Sequence, residues 1–324
     1  MNTSNENKKL KCYFAFSDDI INKQYYVEML KACLESARRN TTLDLYCLYD
    51  GKEGDSLYNL LMEYNVNVKI ATIPFYNELS KIYTKDYMLE KFGQIITEGS
   101  MRSRFLRMMI SQYEDDEYFL YCDTDIIFLK DITLDDFPCL PKEAGVCPEF
   151  ERSNDYNYFN AGVMLINTDI AKSKYNDFMD MINNGIKAEI ECCDQGYLNE
   201  LYKKQYDKLP LEYNWKPYWG INENAKIIHF HGVKPNEDII KKIPFLISML
   251  LKYESINSCF HYYDLYSEYV DVDKNLMLHR LIKALLINQP QQKINKRKIY
   301  KIIQYQFLFN FILILSLFIY VLLR

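Results

Sequence analysis

The chain is short of the residues and motifs that mark several large enzyme classes. Its 324 residues include only 10 glycines, 9 prolines, 4 histidines and 2 tryptophans. It has no glycine-rich phosphate loop, no G-x-S-x-G sequence and no H-E-x-x-H pair, so the motifs of phosphate-loop NTPases, α/β-hydrolases and many zinc peptidases are missing. It also has no internal repeat and no low-complexity linker, which excludes a repeat or fibrous architecture.

A disulfide framework is missing as well. The nine cysteines are odd in number and irregularly spaced, and the adjacent Cys192 and Cys193 have no second pair at metal-ligand spacing. Residues 1–11 are polar and do not resemble a secretory signal. We therefore expect free thiols and a reducing, cytoplasmic environment.

Charge is unevenly distributed along the chain. The net charge is −5, but residues 293–324 contain six basic residues and no acidic one. The preceding 292 residues carry 33 basic and 44 acidic groups, a net charge of −11. An acidic body argues against a nucleic-acid partner. The basic end is better suited to an anionic membrane.

Strand-like and helix-like segments alternate over residues 11–235, which predicts one α/β domain whose parallel sheet is covered on both faces. Short apolar runs predict the strands, at Lys11–Phe16, Leu43–Tyr49, Val66–Ile70, Tyr118–Cys122, Asn160–Asn167 and Lys226–Phe230. Apolar residues at helical spacing predict the helices, at Tyr25–Arg39, Leu57–Tyr64, Met101–Tyr113, Ile170–Asn183 and Cys193–Lys204. A helical extension is expected over residues 236–292.

Residues 293–324 predict a basic collar followed by a hydrophobic, membrane-anchoring helix. Residues 302–323 are 22 uncharged residues, and a helix of that length is ~33 Å long, enough for a ~30 Å hydrocarbon core. The basic residues before it predict that the body stays on the cytoplasmic side. A helix lying flat on the membrane, or one buried in the protein, remains an alternative.

Two acidic residues at the end of a predicted strand are the sharpest chemical feature. Asp123 and Asp125 flank Thr124 between two apolar runs. Such carboxylates favour a hard divalent ion, which in turn bridges phosphate oxygens. The same pattern also occurs in solvated loops, but two unpaired carboxylates beside a core would repel each other and be costly to bury.

His229 lies near the end of the predicted strand Lys226–Phe230, and His231 follows that strand, just before Gly232 and Lys234. A neutral imidazole is a suitable third ligand beside two carboxylates. Gly232 permits close approach of a ligand to the backbone, and Lys234 would meet a phosphate as a point charge. The alternative is a histidine packed in the core at a strand end.

Further polar residues lie at predicted strand ends and helix starts. Asn160 offers donors and acceptors that suit sugar hydroxyls. Asp18 follows the first strand, where parallel sheets bind ligands, and Asp194 lies at a helix start, where a cap is the alternative. Arg104 and Arg107 lie on the helix before the paired acids, either facing a diphosphate or on a solvated face.

Together these stretches, in this order over residues 11–235, resemble glycosyltransferase family 8, which includes glycogenin and bacterial lipopolysaccharide galactosyl- and glucosyltransferases. The resemblance implies a GT-A fold, a Rossmann-like α/β domain that binds a nucleotide sugar. It further implies a UDP-hexose donor, Mn²⁺ or Mg²⁺, and transfer with retention of anomeric configuration.

The resemblance also assigns roles to single residues. Asp123, Asp125 and His229 match the metal ligands of the family. Gly232 and Lys234 match residues that contact the diphosphate, although one residue is missing between them and Asn236 replaces the family's Trp. The residues implied to bind the nucleotide sugar are Asp18, Arg104, Asp123, Thr124, Asp125, Asn160, Ala161, Gly232 and Lys234.

Asp194 and Gln195 match the family's pair that faces the donor sugar. Either one serves as nucleophile in a covalent mechanism, or the acceptor hydroxyl attacks from the leaving-group face. The predicted acceptor is a glycan or a lipid-linked sugar at the membrane. Trp215 and Trp219 either stack on an acceptor sugar or pack in a core loop. The alternative functions are a nucleotide-sugar hydrolase, a nucleotidyltransferase, or a membrane-anchored binding protein without turnover.

Overall fold

A computed structural model describes residues 9–19, 24–93, 95–150, 152, 157–188, 193–203, 205–232, 234–235 and 256–270. The chain divides into two compact units, residues 1–280 and 281–324, and every described residue belongs to the first. The predicted basic collar and hydrophobic helix at 293–324 lie outside the described residues. The same holds for the predicted extension at 236–292, apart from residues 256–270. In the part of the chain that the structure describes, no helix combines the length and the apolar character that crossing a bilayer requires.

A twisted sheet of seven strands forms the centre of the domain, in the order β3-β2-β1-β4-β7-β6-β8. Its strands are β1 (Lys11–Ser17), β2 (Asp44–Asp50), β3 (Asn67–Ile70), β4 (Tyr118–Cys122), β6 (Ala144–Pro148), β7 (Phe159–Asn167) and β8 (Asp207–Lys208). The first four are parallel, whereas β7 is antiparallel to both of its neighbours. The predicted α/β architecture is confirmed, with a sheet that is parallel in one half and mixed in the other.

A second, two-stranded sheet pairs β5 (Ile126–Phe128) with β9 (Ile227–His229) in antiparallel fashion. Ile126 lies opposite His229 in this pairing. Asp123 and Asp125 lie between β4 and β5, in the turn that joins the two sheets. This small sheet therefore brings a histidine from far along the chain to the end of β4.

Helices cover both faces of the large sheet. The described helices are α1 (Gln24–Asn40), α2 (Ser56–Glu63), α3 (Tyr76–Ile82), α4 (Lys85–Phe92), α5 (Glu98–Phe105), α6 (Thr168–Asn183), α7 (Cys193–Leu201) and α8 (Ile256–Tyr266). The last of these, α8, contacts Pro217, where the Ser258 hydroxyl donates to the backbone carbonyl. Several begin at side-chain caps, since the side chains of Asp55, Thr84, Thr97 and Asn167 accept backbone N–H bonds at the starts of α2, α4, α5 and α6.

Alternation along β1 shows why the core lies on both faces of the sheet. Cys12 and Phe14 pack into one hydrophobic cluster with the buried face of α1. Tyr13, which points the other way, packs into a second cluster with residues of α5, α6 and α7. A strand covered on both faces reads as a continuous apolar run, which is what the sequence shows at residues 12–16.

The predicted helix Met101–Tyr113 differs from the structure. The α-helix α5 ends at Phe105, and a 3-10 helix continues over Leu106–Gln112. Apolar spacing does not distinguish these two helix types over short stretches. Further 3-10 helices occupy Leu134–Asp136, Leu211–Asn214 and Pro217–Trp219.

Candidate active site

The carboxylates of Asp123 and Asp125 lie just beyond the end of β4, in a turn held by backbone bonds on both sides. The Asp123 N–H donates to the Gly162 carbonyl of β7 at 2.7 Å, and the Phe230 N–H donates to the Asp125 carbonyl at 2.9 Å. The Tyr121 hydroxyl donates to Asp123 Oδ1 at 2.6 Å. The sheet and the β5–β9 pair together therefore fix where both carboxylates point.

His229, at the end of β9, joins these two carboxylates. Its Nε2 lies 3.4 Å from Asp125 Oδ1, and one ligand atom from each of Asp123, Asp125 and His229 lies within 4.8 Å of the others. Two carboxylates and an imidazole are a suitable donor set for Mn²⁺ or Mg²⁺. The three predicted ligands are thus brought together, and their side chains fit a divalent ion.

Gly162 makes room for the imidazole. A Cβ atom built on Gly162 would lie 2.3 Å from Cε1 and 2.9 Å from Nδ1 of His229. Both distances are shorter than van der Waals contact. Any side chain at position 162 would therefore displace the imidazole ring of His229. The absence of a side chain here follows from the position of His229.

Lys234 pairs with Asp125 and supplies positive charge at the same cluster. Its Nζ contacts Asp125 Oδ2 and donates to the Phe230 carbonyl at 2.8 Å. Burial alone would raise the pKa of Asp125, but Lys234 and His229 hold that pKa well below its usual range. Asp125 is therefore ionised at neutral pH.

Arg107 is the arginine that lies inside the site. Its Nη2 lies 2.5 Å from Asp194 Oδ2, and its Nη1 lies 3.4 Å from Asp123 Oδ1 and donates to the Ala161 carbonyl at 2.8 Å. Its guanidinium also lies 4.8 Å from the centre of the Tyr121 ring. Burial raises the pKa of Asp194, and the charge of Arg107 offsets part of that rise. The resemblance of the motifs implied that Arg104 binds the donor, and Arg107 lies on the same predicted helix.

Arg104 and Asp18, both predicted to bind the donor, are exposed, and Thr124 and Gly232 are half-buried. The charge of Arg104 contributes to lowering the pKa of Asp194 after that of Arg107. Asp18 follows β1, while its neighbour Asp19 accepts a hydrogen bond from Thr97 at 3.0 Å. Gly232 adopts a positive φ of 89°, a conformation that glycine reaches without strain.

Gln195 and Asn160 converge on a residue that the motifs did not single out. Glu149 Oε2 accepts hydrogen bonds from Asn160 Nδ2 at 2.8 Å and from Gln195 Nε2 at 3.1 Å. Gln195 Oε1 accepts the Ala161 N–H at 2.9 Å. Glu149 directly follows β6, a strand that contains Gly145 and ends at Pro148. Because glycine and proline are uncommon inside strands, the sequence pattern did not predict β6.

The other oxygen of Glu149 faces His231. Glu149 Oε1 lies 3.0 Å from His231 Nε2, and the Tyr218 hydroxyl lies 2.9 Å from His231 Nδ1. Burial opposes ionisation of Glu149, but its hydrogen bonds from His231 and Asn160 lower its pKa to about 2. Burial likewise lowers the pKa of His231. Glu149 is therefore an ionised, fully engaged acceptor.

The segment before β9 packs in the core. Trp215 and Trp219 are both buried, and their rings meet edge to face at 5.5 Å. Between them, the buried Lys216 donates to the Pro148 carbonyl at 2.8 Å, and burial lowers its pKa to about 8. The core-loop alternative for this segment agrees with these positions.

The profile of glycosyl transferase family 8 matches residues 20–239. Among curated proteins, glycosyltransferase GlyB of Streptococcus pneumoniae serotype 4 (strain ATCC BAA-334 / TIGR4) is 26% identical over 241 residues, which cover 66% of this chain and 56% of GlyB. The chain thus spans just over half the length of this curated relative.

Two solved glycosyltransferases share the fold. Apo-form GlyE of Streptococcus pneumoniae TIGR4 superimposes with a TM-score of 0.53 at 19% identity, covering 86% of this chain and 64% of GlyE. The galactosyltransferase LgtC, in complex with donor and acceptor sugar analogs, gives a TM-score of 0.52 at 15% identity, covering 83% of this chain and all of LgtC.

The chain belongs to glycosyltransferase family 8. The family match and the relative GlyB thus agree with the family that the motifs resemble.

Proposed function

We propose that this glycosyltransferase moves a hexose from a UDP-sugar to a hydroxyl of a glycan or lipid-linked acceptor, with a divalent metal ion and with retention of configuration. The observation that carries the proposal is the grouping of Asp123, Asp125 and His229 within 4.8 Å at the end of β4. Ligands bind at the carboxyl ends of strands in such sheets. Asp194 and Gln195 lie beside this group.

These three residues would hold Mn²⁺ or Mg²⁺, and the ion would supply positive charge to the diphosphate as it leaves. Lys234 adds a further positive charge beside Asp125. Gly232 lets the backbone approach the same region closely. The site therefore concentrates positive charge where the transferred sugar leaves negative charge.

The engagement of Asp194 and Gln195 supports attack from the leaving-group face. Asp194 is paired with Arg107, and Gln195 Oε1 already accepts the Ala161 N–H. These contacts make each of the two oxygens a weaker nucleophile. In the proposed step the acceptor oxygen bonds to the anomeric carbon, the bond from that carbon to the diphosphate oxygen breaks, and the acceptor proton passes to the departing diphosphate.

We also propose that the enzyme works at the cytoplasmic face of a membrane. The support is in the sequence, where basic residues at 293–301 precede the uncharged residues 302–323. Attachment would raise the local concentration of a lipid-linked acceptor. Sedimentation of the full chain with anionic and neutral vesicles tests this, and replacing Lys293, Lys296, Arg297 and Lys298 by Gln should weaken binding to the anionic ones. If the same amount of protein sediments with and without vesicles, the membrane proposal is contradicted.

UDP release from a panel of UDP-sugars, with and without Mn²⁺, tests the donor and the metal. We expect release from one sugar, dependent on Mn²⁺, and its collapse in Asp125→Asn. Asp135→Asn, which alters an exposed carboxylate, is the matched control and should behave as wild type. Adding lipid-linked acceptors then separates transfer from hydrolysis, because only transfer yields a glycoside. If no sugar releases UDP and UDP does not bind, the uridine donor is wrong.

A further inference from the structure

A chain of side-chain amides runs from Glu149 to His229. Asn214 Oδ1 lies 2.9 Å from His229 Nδ1, and Asn214 Nδ2 donates to Asn160 Oδ1 at 2.9 Å. Asn160 in turn donates from Nδ2 to Glu149 Oε2 at 2.8 Å. Asn214 and His229 are both buried, so water does not compete with these bonds.

Two contacts of Asn160, with Glu149 and with Gly162, fix the direction of every bond in this chain. Glu149 is ionised and therefore only accepts, so Asn160 must turn its NH₂ group toward Glu149. The Gly162 backbone N–H only donates, and it lies 3.1 Å from Asn160 Oδ1. Both facts place the oxygen of Asn160 on the side of Asn214.

The orientation of Asn214 follows from that of Asn160. Its Nδ2 must face Asn160 Oδ1, because a flipped amide would bring two oxygens together at 2.9 Å without a proton between them. Its Oδ1 then faces His229 Nδ1 and needs a donor there. His229 therefore carries a proton on Nδ1, and Nε2, which lies on the side of Asp125, is left as the nitrogen for a metal ion.

Backbone bonds hold Asn214 beside the histidine independently of its side chain. The Trp215 N–H donates to the Ile227 carbonyl at 3.0 Å, and the His229 N–H donates to the Trp215 carbonyl at 2.8 Å. The segment that carries Asn214 is thus attached to β9 on both sides of the contact. Changing the amide should leave this backbone in place.

We propose that Asn214 is a positioning residue that sets the tautomer and the ring orientation of His229, so that Nε2 is available as a metal ligand. The inference rests on the proposed metal-dependent function, and it adds a residue that no motif marks. Partners that hold the second nitrogen of a ligating histidine typically change metal affinity 10–100-fold when removed.

Manganese binding by the full chain, followed by the paramagnetic resonance of free Mn²⁺, is the first test. We expect Asn214→Ala to weaken binding by about 10- to 100-fold. Asn214→Asp keeps an acceptor for Nδ1 and should bind Mn²⁺ more tightly than Asn214→Ala. Tyr213→Phe changes the buried neighbour in the same turn and should bind as wild type. Equal affinities in wild type, Asn214→Ala and Tyr213→Phe would overturn the proposal.

Nitrogen-15 spectra of the histidines without added metal are the second test, and they separate this proposal from the proposed function. Wild type should show a protonated Nδ1 for His229, with its signals assigned by their loss in His229→Asn. Asn214→Ala should show partial loss of the proton from Nδ1. A wild-type His229 without a proton on Nδ1 would overturn the proposal. If wild type binds no Mn²⁺, the metal dependence is wrong, and these spectra still decide the role of Asn214.

Discussion

The two acidic ends of the site are held in different ways. Asp125 faces the cationic Lys234 and the imidazole of His229, and Asp123 shares Arg107 with Asp194. Glu149 instead accepts hydrogen bonds from Asn160, Gln195 and His231. The first end gathers several negative charges and two cationic side chains, whereas the second surrounds one charge with donors.

This difference shows that the role of a carboxylate is better judged from the side chains that contact it than from the number of acidic residues nearby. Clustered carboxylates repel each other and persist beside a core only where positive charge compensates them. A single carboxylate satisfied by three side-chain donors requires no ion and instead fixes its neighbours. We therefore interpret the Asp125 end as the ligand-binding part and Glu149 as the part that holds the amides of Asn160 and Gln195 in place.

The largest effect should come from Gly162→Ala, which breaks the metal end without changing a charge. The new methyl would collide with the His229 ring, so we expect Mn²⁺ affinity and turnover to fall by about 100-fold or more. Gly145→Ala is the matched control, because its methyl would meet the Leu209 side chain in the same sheet. That control should lose stability but keep Mn²⁺ affinity, and unchanged Mn²⁺ affinity in Gly162→Ala would contradict the geometry.

Arg107→Gln should have the next largest effect, on stability. It leaves Asp194 buried and unpaired, which costs about 3–5 kcal/mol of unfolding free energy. Arg104→Gln alters an exposed side chain and should change stability by less than about 0.5 kcal/mol. Urea unfolding of both variants measures the difference. Similar losses in the two variants would show that Arg107 is not the buried partner.

Glu149→Gln sharpens the comparison through its pH dependence. The folded-state pKa of about 2 lies below the ordinary value of 4.5, so ionised Glu149 stabilises the fold above pH 4.5 and this contribution disappears as pH falls toward 2. The stability of wild type relative to Glu149→Gln should drop by about 2 kcal/mol between pH 5 and pH 3. Glu63→Gln, at an exposed site on α2, is the control. A pH-independent difference for Glu149→Gln would contradict its role as an ionised acceptor.

The smallest effect should come from Tyr218→Phe. It removes the hydroxyl that bonds His231 Nδ1, at a cost of about 1 kcal/mol in unfolding free energy. Mn²⁺ affinity should stay unchanged, because this bond belongs to the Glu149 end. A loss of metal affinity comparable to that of Gly162→Ala would show that the two ends are not separate.

The strands β1 and β4 follow closely from the sequence, because strands buried on both faces are uninterrupted apolar runs. The predicted Tyr118–Cys122 coincides with β4, and Lys11–Phe16 differs from β1 by one residue. The strand β6 was missed because Gly145 and Pro148 read as strand breakers. At Gly145 the side chain of Leu209 occupies the position that a Cβ atom would take. This contact joins residues far apart in the chain, so a local sequence pattern cannot show it.

The residues of the site that lie in short motifs could be proposed from the sequence. The residues that reach the site only through contacts in the folded chain could not. Asp123, Asp125 and His229 stand out because of their residue types and spacing. Asn214 and Glu149 lie in stretches without such a pattern, and their roles depend on contacts across 11 to 54 positions of chain. The sequence did not show that Arg107 pairs with Asp194 while Arg104 is exposed. Both arginines lie on one predicted helix, and their spacing does not say which side chain faces the sheet.

The pairing of β5 with β9 also has a consequence for how the protein folds. Ile126 and His229 are opposite each other in that pairing but 103 positions apart along the chain. Contacts between such distant segments are costly to form, because the intervening loop must be closed before they contribute stability. The three proposed ligands therefore come together only when this pairing has formed. Binding of Mn²⁺ during refolding would report that step.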